Sequence, residues 1–255
     1  KIRGLMPEYD YIYLGDSARC PYGPRSFEVV YEFTLQAVSK LFELGCPLVI
    51  LACNTASAKA LRTIQQINLP VIDATRRVLG VIRPTAECIG EITRSRHVGI
   101  LATAGTIKSE SYLLEIHKLS PDIVVTGEAC PMWVSLVENN EYQSEGADYF
   151  VKQHINRLLD KDPMIDTIIL GCTHYPLLLD KIRQFTPGHI RIIAQGEYVA
   201  RSLQDYLNRH PEMDARCEKG GKCRFLTTES ENKFEESASI FLGRQDIKVE
   251  SIALE

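Results

Sequence analysis

The sequence predicts an α/β protein of two pseudo-symmetric domains, each a mostly parallel sheet flanked by helices, with a ligand cleft between them. Three observations lead there. Short apolar, β-rich runs alternate with helical patterns along the 255 residues, and parallel neighbours need the long crossovers that such helices supply. Two of these runs, Leu48-Val49-Ile50-Leu51-Ala52-Cys53-Asn54-Thr55 and Thr167-Ile168-Ile169-Leu170-Gly171-Cys172-Thr173-His174, end alike. In each, a small residue, a thiol and two hydrogen-bonding side chains precede a helical pattern, at the strand ends where open α/β sheets bind ligands. The remaining runs repeat in step with these two, as an internal duplication would.

Taken in order, the first half offers strands at 11–16, 48–55 and 70–73, and the second at 97–102, 122–128, 167–174 and 190–194. The helix at 27–44 carries Val30, Phe33, Ala37, Leu41 and Leu44 at helical spacing, with Gly45 as its stop. Residues 54–67, 107–119, 147–159 and 197–207 read likewise. Gly15-Asp16 before Cys20-Pro21 corresponds to Gly127-Glu128 before Cys130-Pro131, and Val71-Ile72-Asp73 corresponds to Ile192-Ile193-Ala194. Strand 97–102 has no counterpart in the first half. Matching Pro7 to Pro121 puts Lys1 inside a helix, so a strand and the start of its helix are expected before Lys1. The chain changes domain near residues 80–84 and returns after Gln195, where 224–228 supplies a short strand. The expected domains are 1–80 with 196–255, and 81–195.

A net charge of −4 without a basic face lacks the electrostatic footprint of a nucleic-acid binder. No apolar run reaches the ~20 residues of a membrane span, and no signal-peptide pattern opens the chain, so a soluble cytoplasmic protein is expected. Eight cysteines in a chain of this size do not form a small secreted disulfide framework. Cys46 and Cys88 read as core. Cys217 and Cys223 bracket Lys219-Gly220-Gly221-Lys222 like a hairpin turn; their spacing is wider than a zinc C-x₂₋₄-C, and no second ligand pair is evident. Cys20 and Cys130 precede prolines in equivalent loops and line the cleft, and Trp133 reads as packing. Neither common phosphate loop is present. No metal or cofactor is called for.

A thiol at a strand end before a helix meets free N–H groups and a partial positive charge, which favour the thiolate. For one cysteine, simple packing is an even alternative. Two at equivalent positions, facing each other across a pseudo-twofold cleft, suit a reaction that removes a proton from one face of a carbon and returns one to the other. That is racemisation or epimerisation. His174 is placed to exchange a proton with Cys172. Asp16 and Glu138 are candidates for further acid/base support, with ordinary solvated carboxylates as the alternative. Asn54, Thr55 and Thr173, with backbone N–H groups, suit a carboxylate on which charge develops. Thr103 and Thr106 lie on the matching loop of the second half and suit a carboxylate as well.

Cys53-Asn54-Thr55-Ala56, Gly171-Cys172-Thr173-His174-Tyr175-Pro176-Leu177, and Tyr13-Leu14-Gly15-Asp16 leading to Pro21-Tyr22-Gly23 resemble the signatures of the bacterial glutamate racemases. The resemblance runs over nearly the whole chain. It implies a cofactor-independent, two-base interconversion in which Cys53 works on D-glutamate and Cys172 on L-glutamate. Substrate contacts are implied for Tyr22, Gly23, Asn54, Thr55, Thr173 and His174, together with a homodimer and a supply of D-glutamate for peptidoglycan. The opening Asp-Ser-Gly motif of that family has no counterpart here and would lie on the strand expected before Lys1. An aspartate racemase, with a shorter substrate pocket, is the nearest alternative. A ligand-binding relative without catalysis is the alternative from another class.

Overall fold

The computed structural model describes residues 1–242 and 247–254. Its strands are β1 (Tyr11–Gly15), β2 (Leu48–Leu51), β3 (Arg77–Gly80), β4 (His97–Ala102), β5 (Val124–Ala129), β6 (Thr167–Gly171), β7 (Arg191–Ala194), β8 (Cys223–Thr227) and β9 (Val249–Ser251). They form three sheets, ordered β1-β8-β9, β2-β3 and β5-β4-β6-β7. Every strand pair is parallel. Among the described residues, no helix is long and apolar enough to cross a membrane.

The four-stranded sheet is buried on both faces, which is why β4 and β6 read as unbroken apolar runs rather than alternating ones. Alternate residues serve opposite layers. Leu101, Ile168 and Leu170 pack with Val151, Ile155 and Leu158 of the helix Glu145–Lys161. Val98, Ile100, Ile169 and Ile193 face Ala86 and Ile89 of the helix Ile82–Ile92, and Tyr112 and Ile116 of the helix Ser111–Leu119. In the first half, the helix Phe27–Glu43 is capped by Ser26, whose hydroxyl accepts the Val29 N–H at 3.3 Å, and it stops where Gly45 takes φ +92°. Its Val38 and Phe42 bury against Val49, Leu51 and Val78, each side chain contributing about 1.5–3 kcal/mol. The other face of β2 and β3, through Leu48, Ile50 and Leu79, packs on Leu203 and Leu207 of the helix Gly196–Arg209.

The expected strand at 70–73 is helix. The chain continues from the helix Asn54–Lys59 through Leu61–Thr63 and a π turn, Ile64–Asn68, into the helix Leu69–Asp73. Pro70 lacks the N–H that an α turn would use and crowds the carbonyl four residues back. The π turn, in which the Leu69 N–H reaches the Ile64 carbonyl, widens the coil and accommodates it. Val71 and Ile72 then face solvent, Val71 at 86% exposure. The strand beside β2 is β3, so β3, not 71–73, is the counterpart of β7. Leu48 to Leu51 pair with Arg77 to Gly80 as Thr167 to Leu170 pair with Arg191 to Ala194.

Other boundaries move less. The helix expected at 107–119 is two, Ala104–Lys108 and Ser111–Leu119, parted where Glu110 takes φ +55°. The helix Ile82–Ile92 fills much of the segment after the expected domain change. Cys217 and Cys223 do not flank a hairpin, because β8 runs parallel to both β1 and β9. Asp10 holds the intervening loop by accepting the N–H groups of Gly220 and Lys222, at 3.0 and 2.8 Å. Cys46 and Cys88 are half-buried rather than fully enclosed.

Candidate active site

Both thiols stand where a parallel strand gives way to a helical turn. Cys53 is the N-cap of the helix Asn54–Lys59, whose first residues Asn54, Thr55, Ala56 and Ser57 are small enough to be wholly buried. The Ser57 hydroxyl donates to the Leu51 carbonyl at 2.8 Å and fastens that turn to the end of β2. Cys172 follows Gly171, where a side chain would press on the Ala102 Cβ at 3.0 Å and the Tyr112 ring at 3.1 Å. Its carbonyl accepts the Tyr175 N–H at 3.2 Å, and Tyr175 is buried against Trp133, ring centroids 4.7 Å apart.

Burial pushes the Cys53 thiol up, against the N–H groups of Ala56 and Thr55 and the Thr55 hydroxyl, which favour the thiolate. Burial likewise pushes Cys172 up to about 12, although the backbone N–H groups of His174 and Tyr175 act the other way. The expectation that helix ends alone would favour the thiolates is therefore corrected: desolvation is the larger effect at both. Negative charge at Cys53 raises Cys172 further, so the two sulfurs lie within electrostatic reach of each other. Cys20 belongs to the same neighbourhood: although the residue is exposed overall, crowding around its sulfur, then Glu138 and Cys53, push the thiol up to about 12. Cys130 is fully buried in the core.

His174 Nδ1 lies 3.7 Å from the Cys172 sulfur, and its Nε2 is hydrogen-bonded to Glu138. That bond is the first cause holding the Glu138 carboxyl below its ordinary range, ahead of a partial burial that opposes it. Thiol, imidazole and carboxylate thus stand in line on one side of the site. Asp16 is engaged differently. It accepts from Arg19 Nε at 2.8 and 2.9 Å, from the Thr228 hydroxyl at 2.8 Å and from the Tyr22 hydroxyl.

Three hydroxyls join the two halves. Thr55 lies 3.0 Å from Thr103 and 3.3 Å from Thr106, and those two are 3.1 Å apart. All three are buried. Gly23 packs on Thr103, where a Cβ would come within 2.9 Å of the threonine Cβ, and its carbonyl accepts the Gly105 N–H at 3.1 Å. Asn54 is buried beside Cys53 and accepts from the Tyr112 hydroxyl at 2.7 Å. Thr173 is exposed and makes no side-chain hydrogen bond among the described residues. Sequence reasoning missed Tyr112, Gln195, Arg19 and Thr228. Tyr112, Gln195 and Thr228 support the site from distant positions that nothing local in the chain marks, whereas Arg19 lies only three residues from the Asp16 it holds. Among the described residues, no group of three His, Cys, Asp or Glu side chains is placed to hold a metal ion.

Comparison with known proteins gives consistent results. The chain is 38% identical to a glutamate racemase of Bacillus cereus over 98% of its own length and 90% of the relative's. It superposes on the crystal structure of a Bacillus anthracis glutamate racemase with a TM-score of 0.89, at 34% identity, covering 99% of this chain and 91% of that one. A Francisella tularensis glutamate racemase solved with D-glutamate matches with a TM-score of 0.85 at 28% identity, over 100% and 91% of the two chains. The model of the Asp/Glu/Hydantoin racemase family matches residues 1–203. With its paired strand-end thiols, parallel sheets and these matches, the chain belongs to the Asp/Glu/Hydantoin racemase family and is an amino-acid racemase.

Proposed function

We propose that this chain interconverts L- and D-glutamate by two-base proton transfer, with Cys53 and Cys172 on opposite faces of the substrate and residues 1–80 with 196–255 and 81–195 as its two domains. The observation that carries this reading is the Cys172–His174–Glu138 series of contacts, together with a second thiol, Cys53, at a helix N-terminus and close enough for its charge to act on Cys172. Cys172 takes the α-proton of L-glutamate and Cys53 that of D-glutamate. One sulfur is thiolate and the other thiol at the start of each turnover. Because burial holds Cys172 high, its proton needs an acceptor, and His174 backed by the Glu138 anion serves. The Cys53 thiolate leans on the Thr55 hydroxyl and the helix N–H groups instead.

No pyridine ring takes up the carbanion's electrons in this scheme. The negative charge spreads onto the α-carboxylate, which Asn54, Thr55 and Thr173 hold with backbone N–H groups. Thr103 and Thr106 exchange their mutual hydrogen bonds for substrate oxygens. Asp16, saturated by Arg19, Thr228 and Tyr22, fits the task of fixing Tyr22 and the Gly23 backbone better than that of carrying a proton. The glutamate racemase relatives favour glutamate over aspartate. The proposal extends, on the motif resemblance alone, to a cytoplasmic homodimer that supplies D-glutamate for peptidoglycan.

Incubation with enantiopure L-glutamate or L-aspartate, in water and in deuterated water, followed by chiral analysis, tests the proposal. Racemisation of glutamate with solvent label at the product α-carbon is expected, unaffected by chelator or carbonyl-trapping reagent. Turnover of aspartate alone, or activity restored only by added metal or pyridoxal phosphate, refutes it.

A further inference from the structure

Beside the two thiols runs a buried chain of hydrogen bonds whose direction is fixed at one end. Gln195 Nε2 lies 3.1 Å from the Val81 carbonyl, 3.1 Å from the Thr85 hydroxyl and 2.5 Å from the Tyr112 hydroxyl. A backbone carbonyl only accepts, so the atom of Gln195 that meets Val81 is the amide nitrogen. That nitrogen only donates. The Tyr112 oxygen therefore accepts from Gln195, and its single proton goes to Asn54 at 2.7 Å. Asn54 must then present Oδ1 to Tyr112, which turns its Nδ2 group away from the tyrosine. Nδ2 has no hydrogen-bond partner among the described residues. Asn54, Tyr112, Thr85 and Gln195 are all buried, so water does not scramble this order.

We infer that Gln195, acting through Tyr112, is a positioning residue that sets the amide orientation of Asn54, so that two N–H donors rather than a carbonyl oxygen face a substrate carboxylate. The inference rests on the reading above, in which Asn54 binds that carboxylate. An unfixed asparagine amide presents either end, and the wrong one sets an acceptor against an anion. Gln195 and Val81 lie where the chain passes between the four-stranded sheet and the elements packed on β2 and β3, so the same bonds tie Asn54 to both crossings.

The experiment is a double-mutant cycle on glutamate racemisation. Tyr112→Phe keeps the ring in its packing and removes only the hydroxyl. It is expected to raise KM about ten-fold, the size of one hydrogen bond to a charged group, with kcat changed much less and the pH profile unmoved. Gln195→Met is expected to act in the same direction. In an Asn54→Ala background, Tyr112→Phe should add almost nothing, because its effect passes through Asn54. An undiminished ten-fold effect in that background overturns the proposal, as does an unchanged KM in the single variant. A second readout needs no substrate: the Asn54 side-chain amide, followed by ¹⁵N–¹H NMR, should shift in Tyr112→Phe and in Gln195→Met. An unmoved amide signal refutes the relay even if glutamate proves to be the wrong substrate. Inactivity of the wild type on glutamate with a shifted signal refutes the substrate reading alone.

Discussion

Replacing Glu138 by Gln keeps the shape of the Cys172–His174–Glu138 line and removes its charge. Burial lifts the Cys172 thiol to about 12. At neutral pH, releasing its proton to water would cost about 7 kcal/mol at ~1.36 kcal/mol per pH unit. In the proposed mechanism His174, 3.7 Å away, accepts that proton instead, and the resulting imidazolium is worth more with an anion behind it. A charge-assisted hydrogen bond contributes about 1.5–3 kcal/mol, and the 39% exposure of the Glu138 side chain favours the low end. The expected loss is therefore about ten-fold in kcat/KM. Enantiomers have equal free energy, so kcat/KM must fall by the same factor from L- and from D-glutamate, while kcat and KM are free to divide it unequally. Circular dichroism at fixed enzyme concentration follows both directions. A kcat/KM within about two-fold of wild type would show that the carboxylate does not support the proton transfer.

Cys53→Ser and Cys172→Ser should each abolish racemisation in a folded protein, because a hydroxyl is too weak a base at neutral pH; chiral chromatography and the melting temperature check both halves of the statement. Thr55→Val removes the hydroxyl that bridges to Thr103 and Thr106, and should raise KM by about ten-fold in steady-state assays. Gly105→Ala places a methyl group 2.5 Å from the Gly23 carbonyl; the forced shift should lower stability by about 1–3 kcal/mol in urea titrations and reduce kcat/KM. Burial alone would raise Asp166, but the N–H groups of Ser95 and Arg94 and the hydroxyls of Thr93 and Thr167 outweigh it and hold the carboxyl well below its ordinary value. Its contribution is therefore full above the unfolded carboxyl pKa near 3.9 and is lost as pH falls through the lower folded value. The melting-temperature gap between wild type and Asp166→Asn should be wide at pH 7 and close in acid.

The chain shows its sheets most clearly where both faces are buried. Residues 97–102 and 167–171 could hardly be anything but central strands, since every position bar His97 is enclosed. β3 was hidden because it opens on Arg77 after Arg76, whose guanidinium bonds back to the Phe42 and Cys46 carbonyls, while the nearby run 70–73 looks more strand-like and lies on a solvent-facing helix. Propensity lost there to the continuing helix. The thiols and their immediate neighbours were legible because each sits within a few residues of a strand end. The supporting layer was not: Asn54, Tyr112 and Gln195 are separated by 58 and 83 positions, and only the packed fold brings them into one line. Nor could the chain alone give the balance between burial and helix N–H groups at each sulfur, which depends on how much water the fold excludes.

The Gln195–Val81 bond has a mechanical consequence. It fastens together the two places where the chain crosses between the β5-β4-β6-β7 sheet and the elements on β2 and β3. Bodies joined at two neighbouring points swing about the line through them and resist sliding or twisting. Displacement in such a swing grows with distance from the axle. Asn54, wired to that axle through Tyr112, sits on the short arm, whereas the Gly23–Gly105 contact is not tied to it by this chain of bonds. If the two proposed domains open in that way, Asn54 beside Cys53 stays nearly in place while the far lip moves, and the carboxylate it is proposed to bind would meet a fixed point.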